Sequence, residues 1–147
     1  MCIRDRTKPG TRSEAMVELV DIFPTVAHLT GLELPSHLQG TSLRPLLGYP
    51  ERLGKKKFAY SVVTRGTKLG FALRNQRWRY GKWPDGEELY NLTTDPEEKR
   101  NLADRPHLAE RMQEFRGILD GIQQRASSQR NQSTGRETTP SQATPQR

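Results

Sequence analysis

The spacing of hydrophobic positions first indicates a helix near the start of the chain. Apolar residues recur at intervals of three and four after Asp21, at Ile22, Val26 and Leu29. This spacing places them on one helix face, and a following glycine, Gly31, is a common helix end. The pattern predicts a short amphipathic helix from Ile22 to Thr30, with Asp21 as its N-cap.

Shorter elements flank this predicted helix. The residues Met16 to Val20 read as a short strand or as an extended approach to Asp21. After the helix, Ser42 is a candidate cap for a helical turn through Leu43–Leu47 that ends at Gly48.

From Phe58 to Leu92 the period changes to two. Leu69, Phe71 and Leu73 alternate with polar or small residues, as expected for a strand with one buried face. Turn residues, most clearly Pro84-Asp85-Gly86, divide the region into four predicted strands. These are Lys57–Val63, Lys68–Arg74, Arg77–Trp83 and Glu87–Leu92, which we interpret as an antiparallel meander. The preceding run Lys55-Lys56-Lys57 is interpreted as a solvated loop.

Helical spacing returns at the end of the apolar pattern. A capping box at Thr94–Glu97 predicts a brief helical turn, and Asp104 is a candidate cap for the last helix. Its apolar stripe consists of Leu108, Met112, Phe115, Leu119 and Ile122. We expect the stripe to cover the apolar face of the meander, because neither element can bury its own hydrophobic side. Residues 126–147 are mainly Ser, Gln, Thr, Pro and Arg, and this composition predicts disorder.

Composition limits what the chain can be. Its 147 residues, 32% of them hydrophobic, are enough for one modest domain but not for a complete hydrolase core. The net charge of +7 identifies no partner, since four arginines lie in or next to the polar tail. One cysteine, Cys2, excludes an internal disulfide framework, and no segment is apolar enough to cross a membrane.

Catalytic patterns are absent from the sequence. It contains no phosphate loop, nucleophile elbow or zinc-protease motif, and its three histidines, His28, His37 and His107, are scattered. The carboxylates Asp95, Glu97 and Glu98 fit a capping role better than acid–base catalysis. The sequence therefore assigns no catalytic, cofactor-binding or metal-binding residue.

The most unusual segment chemically, Arg74–Trp83, interleaves cations with aromatic residues. Single-stranded nucleic acid could use such rings for base stacking, and a carbohydrate or sulfate-ester cleft could use them under sugars with arginine forks for anions. Alternation alone would produce a third arrangement, in which Trp78 and Tyr80 fill the core while Arg77 and Arg79 face solvent.

Four segments together resemble the C-terminal region of the sulfatases, most closely the iduronate-2-sulfatase-like branch. They are Val17–Thr25 with Leu29-Thr30-Gly31, then Leu38–Leu47, then Leu69–Arg74 with Arg77–Trp83, and finally Glu88–Ala103. Their motifs read VELVDIFPT, LQGTSLRPLL, LGFALR with RWRYGKW, and ELYNLTTDPEEKRNLA. Order and spacing agree with the family over residues 8–124.

The resemblance implies an α+β architecture. Residues 8–50 would be the end of an alkaline-phosphatase-like α/β domain, and residues 51–125 a small four-stranded antiparallel sheet with a packed C-terminal helix. Residues 1–7 are expected to be a non-native leader, and residues 126–147 a disordered polar tail. An N-terminal sulfatase domain would be missing from this chain.

The function implied by the resemblance belongs to a longer parent enzyme. That parent would hydrolyse sulfate esters of a sugar or glycosaminoglycan with a formylglycine nucleophile and a calcium ion. The C-x-P-S-R-type motif that carries the nucleophile is absent here, so the fragment alone is predicted to be inactive. The parent is expected in the periplasm or outside the cell, with no nucleic-acid partner and no membrane contact.

Two residues remain candidates for a functional role. Arg74 matches the arginine of the family's IRT motif, although Asn75 replaces its threonine, and Trp83 ends the next predicted strand. Each is predicted to lie at the substrate cleft or at the interface between domains. The alternative function for the whole chain is a small basic module that binds nucleic acid or acidic polysaccharide.

Overall fold

The computed structural model describes residues 10–52, 54 and 56–134, which divide after Arg105 into two compact units. The first unit contains two short α-helices, α1 (Ile22–Thr30) and α2 (Arg44–Gly48), and four strands. The strands are β1 (Ala59–Arg65), β2 (Lys68–Arg74), β3 (Trp78–Trp83) and β4 (Gly86–Asn91). The second unit contains α3, Ala109–Thr134, after a 3-10 turn at Pro106–Leu108. The predicted α+β class is confirmed, and the boundaries predicted at residues 50 and 125 stay predictions.

The four strands form one antiparallel sheet in the order β1-β2-β3-β4. Each strand pairs with its neighbour in sequence, as the predicted meander requires, and β2 has its predicted bounds. Leu73, Tyr80 and Leu89 lie opposite one another on adjacent strands, and all three are fully buried. The face that carries them, called here the core face, is therefore the apolar side of the sheet.

Helix α1 has its predicted bounds, but Asp21 does not cap it in the expected way. Gly31 ends the helix in the left-handed conformation, with φ of 76°. Asp21 instead belongs to a 3-10 turn, Leu19–Asp21, and its side chain makes no capping hydrogen bond to α1. No strand forms at Met16–Val20, and the extended approach holds only as far as Glu18, because Leu19 and Val20 belong to the 3-10 turn.

A close backbone approach fixes the loop before α2. A Cβ atom added at Gly40 would lie 1.9 Å from the carbonyl oxygen of Val20, so no larger residue fits there without moving the chain. The loop then continues to Ser42, whose hydroxyl oxygen accepts a hydrogen bond from the Arg44 amide at 3.3 Å. The N-cap of α2 is Leu43, without a side-chain capping hydrogen bond, so Ser42 bonds beside the start of the helix but does not cap it as predicted.

The segment after β4 forms a turn without the predicted helix. The carboxylate of Asp95, not the hydroxyl of Thr94, accepts hydrogen bonds from the amides of Lys99 and Arg100, at 3.1 and 2.8 Å. Glu98 has a positive φ of 55°, which interrupts helical geometry. The predicted capping box and helical turn are therefore wrong, although the Asp95 carboxylate does accept hydrogen bonds from backbone amides.

In α3 the predicted stripe is buried at Met112, Phe115 and Leu119. The helix continues beyond Arg125 to Thr134, so residues 126–134 are helical where the sequence predicted disorder. Residues 135–147 and the leader at 1–7 lie outside the described residues. None of the described helices has the length and apolar character needed to cross a membrane.

Candidate functional site

Arg74 and Trp83 share one face of the sheet but not one place on it. Trp83 lies over Gly70, because a Cβ there would come within 2.5 Å of its ring. Gly70 and Arg74 are four residues apart on β2, so they point to the same side and are separated by about 13 Å. We call this side, which also carries Arg79, the cationic face. The structure does not bring Arg74 and Trp83 together.

Arg74 is the exposed last residue of β2, between Ala59 of β1 and Arg79 of β3. Arg79 is already paired, since its guanidinium donates to Glu98 at 2.8 Å and lies 3.8 Å from Glu88. Within the described part of the chain, the Arg74 side chain has no hydrogen bond or ion pair. Arg74 therefore lies beside another arginine and has no counter-charge among the described residues. Its guanidinium can bind an added anionic group.

Trp83 ends β3 in a half-exposed position. The Arg65 guanidinium lies 5.1 Å from the centre of a Trp83 ring, within the range of a cation–π contact. A surface cavity of about 380 Å³ adjoins the ring and is also lined by Lys68, Asp85 and Glu88. Lys68 and Asp85 pair at 2.7 Å, so the polar lining is largely neutralised.

Trp78 and Tyr80 are the aromatic residues that a nucleic-acid platform would need, and both are withdrawn from solvent. Trp78 is 7% exposed and Tyr80 is fully buried, with its hydroxyl donating to Glu87 at 2.6 Å. The core arrangement predicted from alternation is therefore correct for this pair. Base stacking requires accessible ring faces, so these residues do not support the binding-module alternative.

A partly buried ionic cluster, which the sequence did not reveal, joins residues far apart in the chain around the buried carboxylate of Asp21. Asp21 Oδ1 accepts hydrogen bonds from the Thr41 amide at 2.8 Å and from Lys56 Nζ at 2.7 Å. Its Oδ2 accepts from the Glu18 amide at 2.9 Å. The Glu18 carboxylate accepts from Lys56 and, at 2.7 Å, from the Tyr60 amide. Lys56 is thus held in a cluster and is not a solvated loop residue as predicted.

One ammonium and two carboxylates share this cluster, and backbone amides donate further hydrogen bonds to both carboxylates. Burial alone would raise the pKa of Asp21, but the hydrogen bonds from Lys56, Thr41 and Glu18 outweigh burial and hold that pKa below its ordinary value. Burial alone would lower the pKa of Lys56, but its bonds to Asp21 and Glu18 raise that pKa. Both groups are therefore stabilised as ions, which suits a structural pair and not a proton-transfer site.

Ser42 and His28 approach each other without forming a nucleophilic pair. His28 Nδ1 lies 3.1 Å from Ser42 Oγ, and Arg44 donates to His28 Nε2 at 2.8 Å. Because Nε2 accepts from arginine, Nδ1 carries the proton and donates it to the serine oxygen. A histidine that donates to serine cannot take the proton of that hydroxyl, so the arrangement holds the α1–α2 loop and does not activate a nucleophile.

No metal centre is found among residues 10–52, 54 and 56–134. No group of three or more His, Cys, Asp or Glu side chains there could hold a metal ion. The described residues therefore do not fit the calcium site that the resemblance implies for a parent enzyme.

Comparison with protein families gives a match over residues 1–125. The matching family is described as N-sulphoglucosamine sulphohydrolase, C-terminal. A delta 4,5-hexuronate-2-O-sulfatase of Bacteroides thetaiotaomicron is 31% identical over 110 residues, which are 69% of this chain and 22% of that protein. Arylsulfatase K of Xenopus laevis is 28% identical over 135 residues, covering 78% of this chain and 24% of the relative.

A solved structure supports the same relationship. The complex of a protein with its substrate, D-glucosamine-2-N,6-O-disulfate, matches with a TM-score of 0.76 and 25% identity. The match covers 84% of this chain and 27% of that one. The chain thus spans between a fifth and about a quarter of the length of these relatives.

Proposed function

Because the chain belongs to the N-sulphoglucosamine sulphohydrolase C-terminal family, we propose that it is the C-terminal part of a sulfatase. The family match over residues 1–125 is the observation that carries this proposal. The complete enzyme would hydrolyse sulfate esters, and this chain alone would be inactive because it lacks the C-x-P-S-R-type motif. The upstream polypeptide would carry the formylglycine residue and the side chains that bind the calcium ion.

The proposed substrate is a sulfated sugar or glycosaminoglycan. Support comes from the relatives, one named as a hexuronate-2-O-sulfatase and one solved with a glucosamine disulfate. The finer proposal, an iduronate-2-sulfatase-like enzyme, rests on the first relative and on the strand motifs at Leu69–Arg74 and Arg77–Trp83. Since sulfated polysaccharides are met outside the cytoplasm, the complete enzyme would act in the periplasm or outside the cell.

Docking to the upstream polypeptide would use the apolar residues at the start of the chain. Five large hydrophobic side chains within eight residues of sequence are more than half exposed, namely Leu19, Val20, Ile22, Phe23 and Val26. We call them the apolar ridge. A soluble domain rarely leaves such a patch uncovered, so the ridge fits an interface with the rest of the enzyme.

Arg74 would serve the same interface. It is exposed and has no counter-charge within the described residues, so a carboxylate of the upstream polypeptide could neutralise it. A uronate carboxylate of the substrate is the competing partner. Four residues of β2, about 13 Å, separate Arg74 from Gly70 beneath the Trp83 ring, which does not favour joint binding of one sugar unit by Arg74 and Trp83.

The experiment is to express the complete reading frame and to measure sulfate release. Matched disaccharides carrying a 2-O-sulfated uronate or a 6-O-sulfated glucosamine would be compared. Preference for the first supports the iduronate-2-sulfatase-like proposal, and preference for the second retains the sulfatase but excludes that branch. No sulfate release from a folded, complete enzyme on either substrate or on an aryl sulfate would overturn the proposed function.

A further inference from the structure

Strand β1 is an outer strand of the sheet, and its backbone groups alternate between the sheet and the outside. The Tyr60 amide donates to the Glu18 carboxylate at 2.7 Å, so it points away from β2. Because the direction alternates along a strand, the amides and carbonyls of Val62 and Thr64 also point outward. Those of Ser61 and Val63 point towards β2, where they face Ala72 and Gly70.

The opposite edge of the sheet is covered. On β4 the Leu89 amide donates to the Asn101 side chain at 3.0 Å, and the Leu89 carbonyl accepts from the Leu102 amide at 2.8 Å. The Asn101 side chain also donates to the Glu87 carbonyl at 3.1 Å. On β1, by contrast, Glu18 covers only Tyr60, and no group in the described residues bonds the outward atoms of Val62 or Thr64.

From Tyr60 to Thr64 the side chains of β1 lack the features that protect an outer strand; the charged Arg65 lies at the end of β1, over the Trp83 ring. Val62 and Val63, on opposite faces, are 51% and 52% exposed. From Tyr60 to Thr64 there is no charged residue and no proline, and β1 pairs with β2 without a bulge. Outer strands of soluble proteins normally carry such features or are covered, since a bare edge pairs with other chains.

We propose that an extended segment of the upstream polypeptide pairs with Val62–Thr64 and adds a fifth strand to the sheet. This inference rests on the proposed function, because it requires a longer enzyme. About three quarters of the length of the relatives lies outside the match, and the matching family is a C-terminal one. The uncovered edge of β1 also lies next to the apolar ridge. The Glu18 carboxylate accepts a hydrogen bond from the Tyr60 amide of β1, and Leu19 of the ridge directly follows Glu18 in the sequence. Apolar side chains on both faces of the added strand would cover Val62 and Val63.

Hydrogen–deuterium exchange on the complete enzyme, read at single residues, tests this inference. The amides of Val62 and Thr64 should exchange at least about a hundredfold more slowly than in an unstructured peptide. The amides of Ser61 and Val63, which bond β2, are the internal control and should be protected in any case. If Val62 and Thr64 exchange within about tenfold of the unstructured rate while the control amides are protected, the inference is overturned. Protection that disappears on dilution would assign the edge to a second copy and overturn it equally.

A pair of substitutions gives an independent measurement. Val62→Pro removes one outward amide and leaves the bonds to β2 intact, whereas Val62→Ala removes only side-chain contacts. The proline variant of the complete enzyme should melt at a lower temperature than the alanine variant; equal melting temperatures would contradict strand addition. Sulfate release from the same preparation separates the two proposals. Sulfate release together with unprotected Val62 and Thr64 amides would overturn strand addition but keep the sulfatase proposal. Protected Val62 and Thr64 amides without sulfate release would overturn the sulfatase proposal but keep strand addition.

Discussion

Asp21 is the residue whose environment most departs from its expected role. A helix cap is a local feature that sequence can indicate, whereas the partners of Asp21 include Thr41 and Lys56, which lie 20 and 35 residues further along the chain. No periodicity or motif encodes such a meeting. The same is true of Lys56, which looks like part of a solvated lysine run until the fold places it beside two carboxylates.

Asp21→Asn should destabilise the chain by about 2–4 kcal/mol. An asparagine keeps the shape but loses the charge, and its amino group must face the Glu18 amide or the donors Thr41 and Lys56. Chemical denaturation measures the loss. Asp95→Asn is the matched control, because that carboxylate also accepts two backbone amides but lies in an exposed turn. An equal effect of both substitutions would contradict a special role for the buried cluster.

The cluster also predicts a pH dependence of stability. The lowered pKa of Asp21 contributes stability that is complete above its unfolded value, about 3.9, and is lost as pH falls through the folded value. The raised pKa of Lys56 contributes stability that is complete below about 10.4 and is lost as pH rises through the folded value. Unfolding measured from pH 2 to 11 should show a shallower acid limb for Asp21→Asn than for the wild type. Parallel acid limbs would exclude Asp21 as a source of acid sensitivity.

Arg74→Ala in the complete enzyme separates the two roles proposed for Arg74. We expect a lower melting temperature with unchanged kcat and KM, because loss of an interface ion pair affects stability and not the substrate. Arg100→Ala removes another exposed arginine from the same unit and is the control. A raised KM or lowered kcat at unchanged melting temperature would instead place Arg74 at the substrate.

At the scale of elements, the sheet was predictable because β2 carries a clear period-two pattern and strong turn formers, most clearly Pro84-Asp85-Gly86, divide the region. The end of α3 was not predictable from hydrophobicity. After Arg125 the sequence has no apolar stripe, but it includes good helix formers, and neither proline nor glycine occurs before Gly135. Helix propensity therefore extends the element beyond its buried face.

The contact between β2 and β3 is tested by Gly70→Ala. The added methyl would lie 2.5 Å from the Trp83 ring and force it away from the sheet and from Arg65. Tryptophan fluorescence should therefore change, while Trp78, buried on the core face, keeps its environment. Gly86→Ala is the control, because a Cβ there meets nothing within 4 Å. An unchanged spectrum of Gly70→Ala would show that Trp83 does not depend on the glycine.

At the scale of the whole molecule, the covered and uncovered surfaces differ in a consistent way. The outer edge of β4 is bonded by Asn101 and Leu102, and Leu73, Tyr80 and Leu89 on the core face are fully buried. The apolar ridge and the edge of β1 are uncovered, and Glu18 joins them. Sequence resemblance could predict that a partner domain is missing, but only the structure shows which atoms that domain would have to cover.

The apolar ridge predicts opposite effects of one change in two settings. Leu19 is 85% exposed and Phe23 58% exposed, so Leu19→Glu combined with Phe23→Glu removes exposed apolar surface from the isolated chain and should reduce its self-association in analytical ultracentrifugation. In the complete enzyme the same double variant would bury two unpaired charges and should lower the melting temperature. Ser127→Glu combined with Ser128→Glu adds the same charge to exposed positions on α3 and should leave that melting temperature unchanged. If the ridge variant melts like the control variant in the complete enzyme, the ridge is not the surface that joins this domain to the rest of the protein.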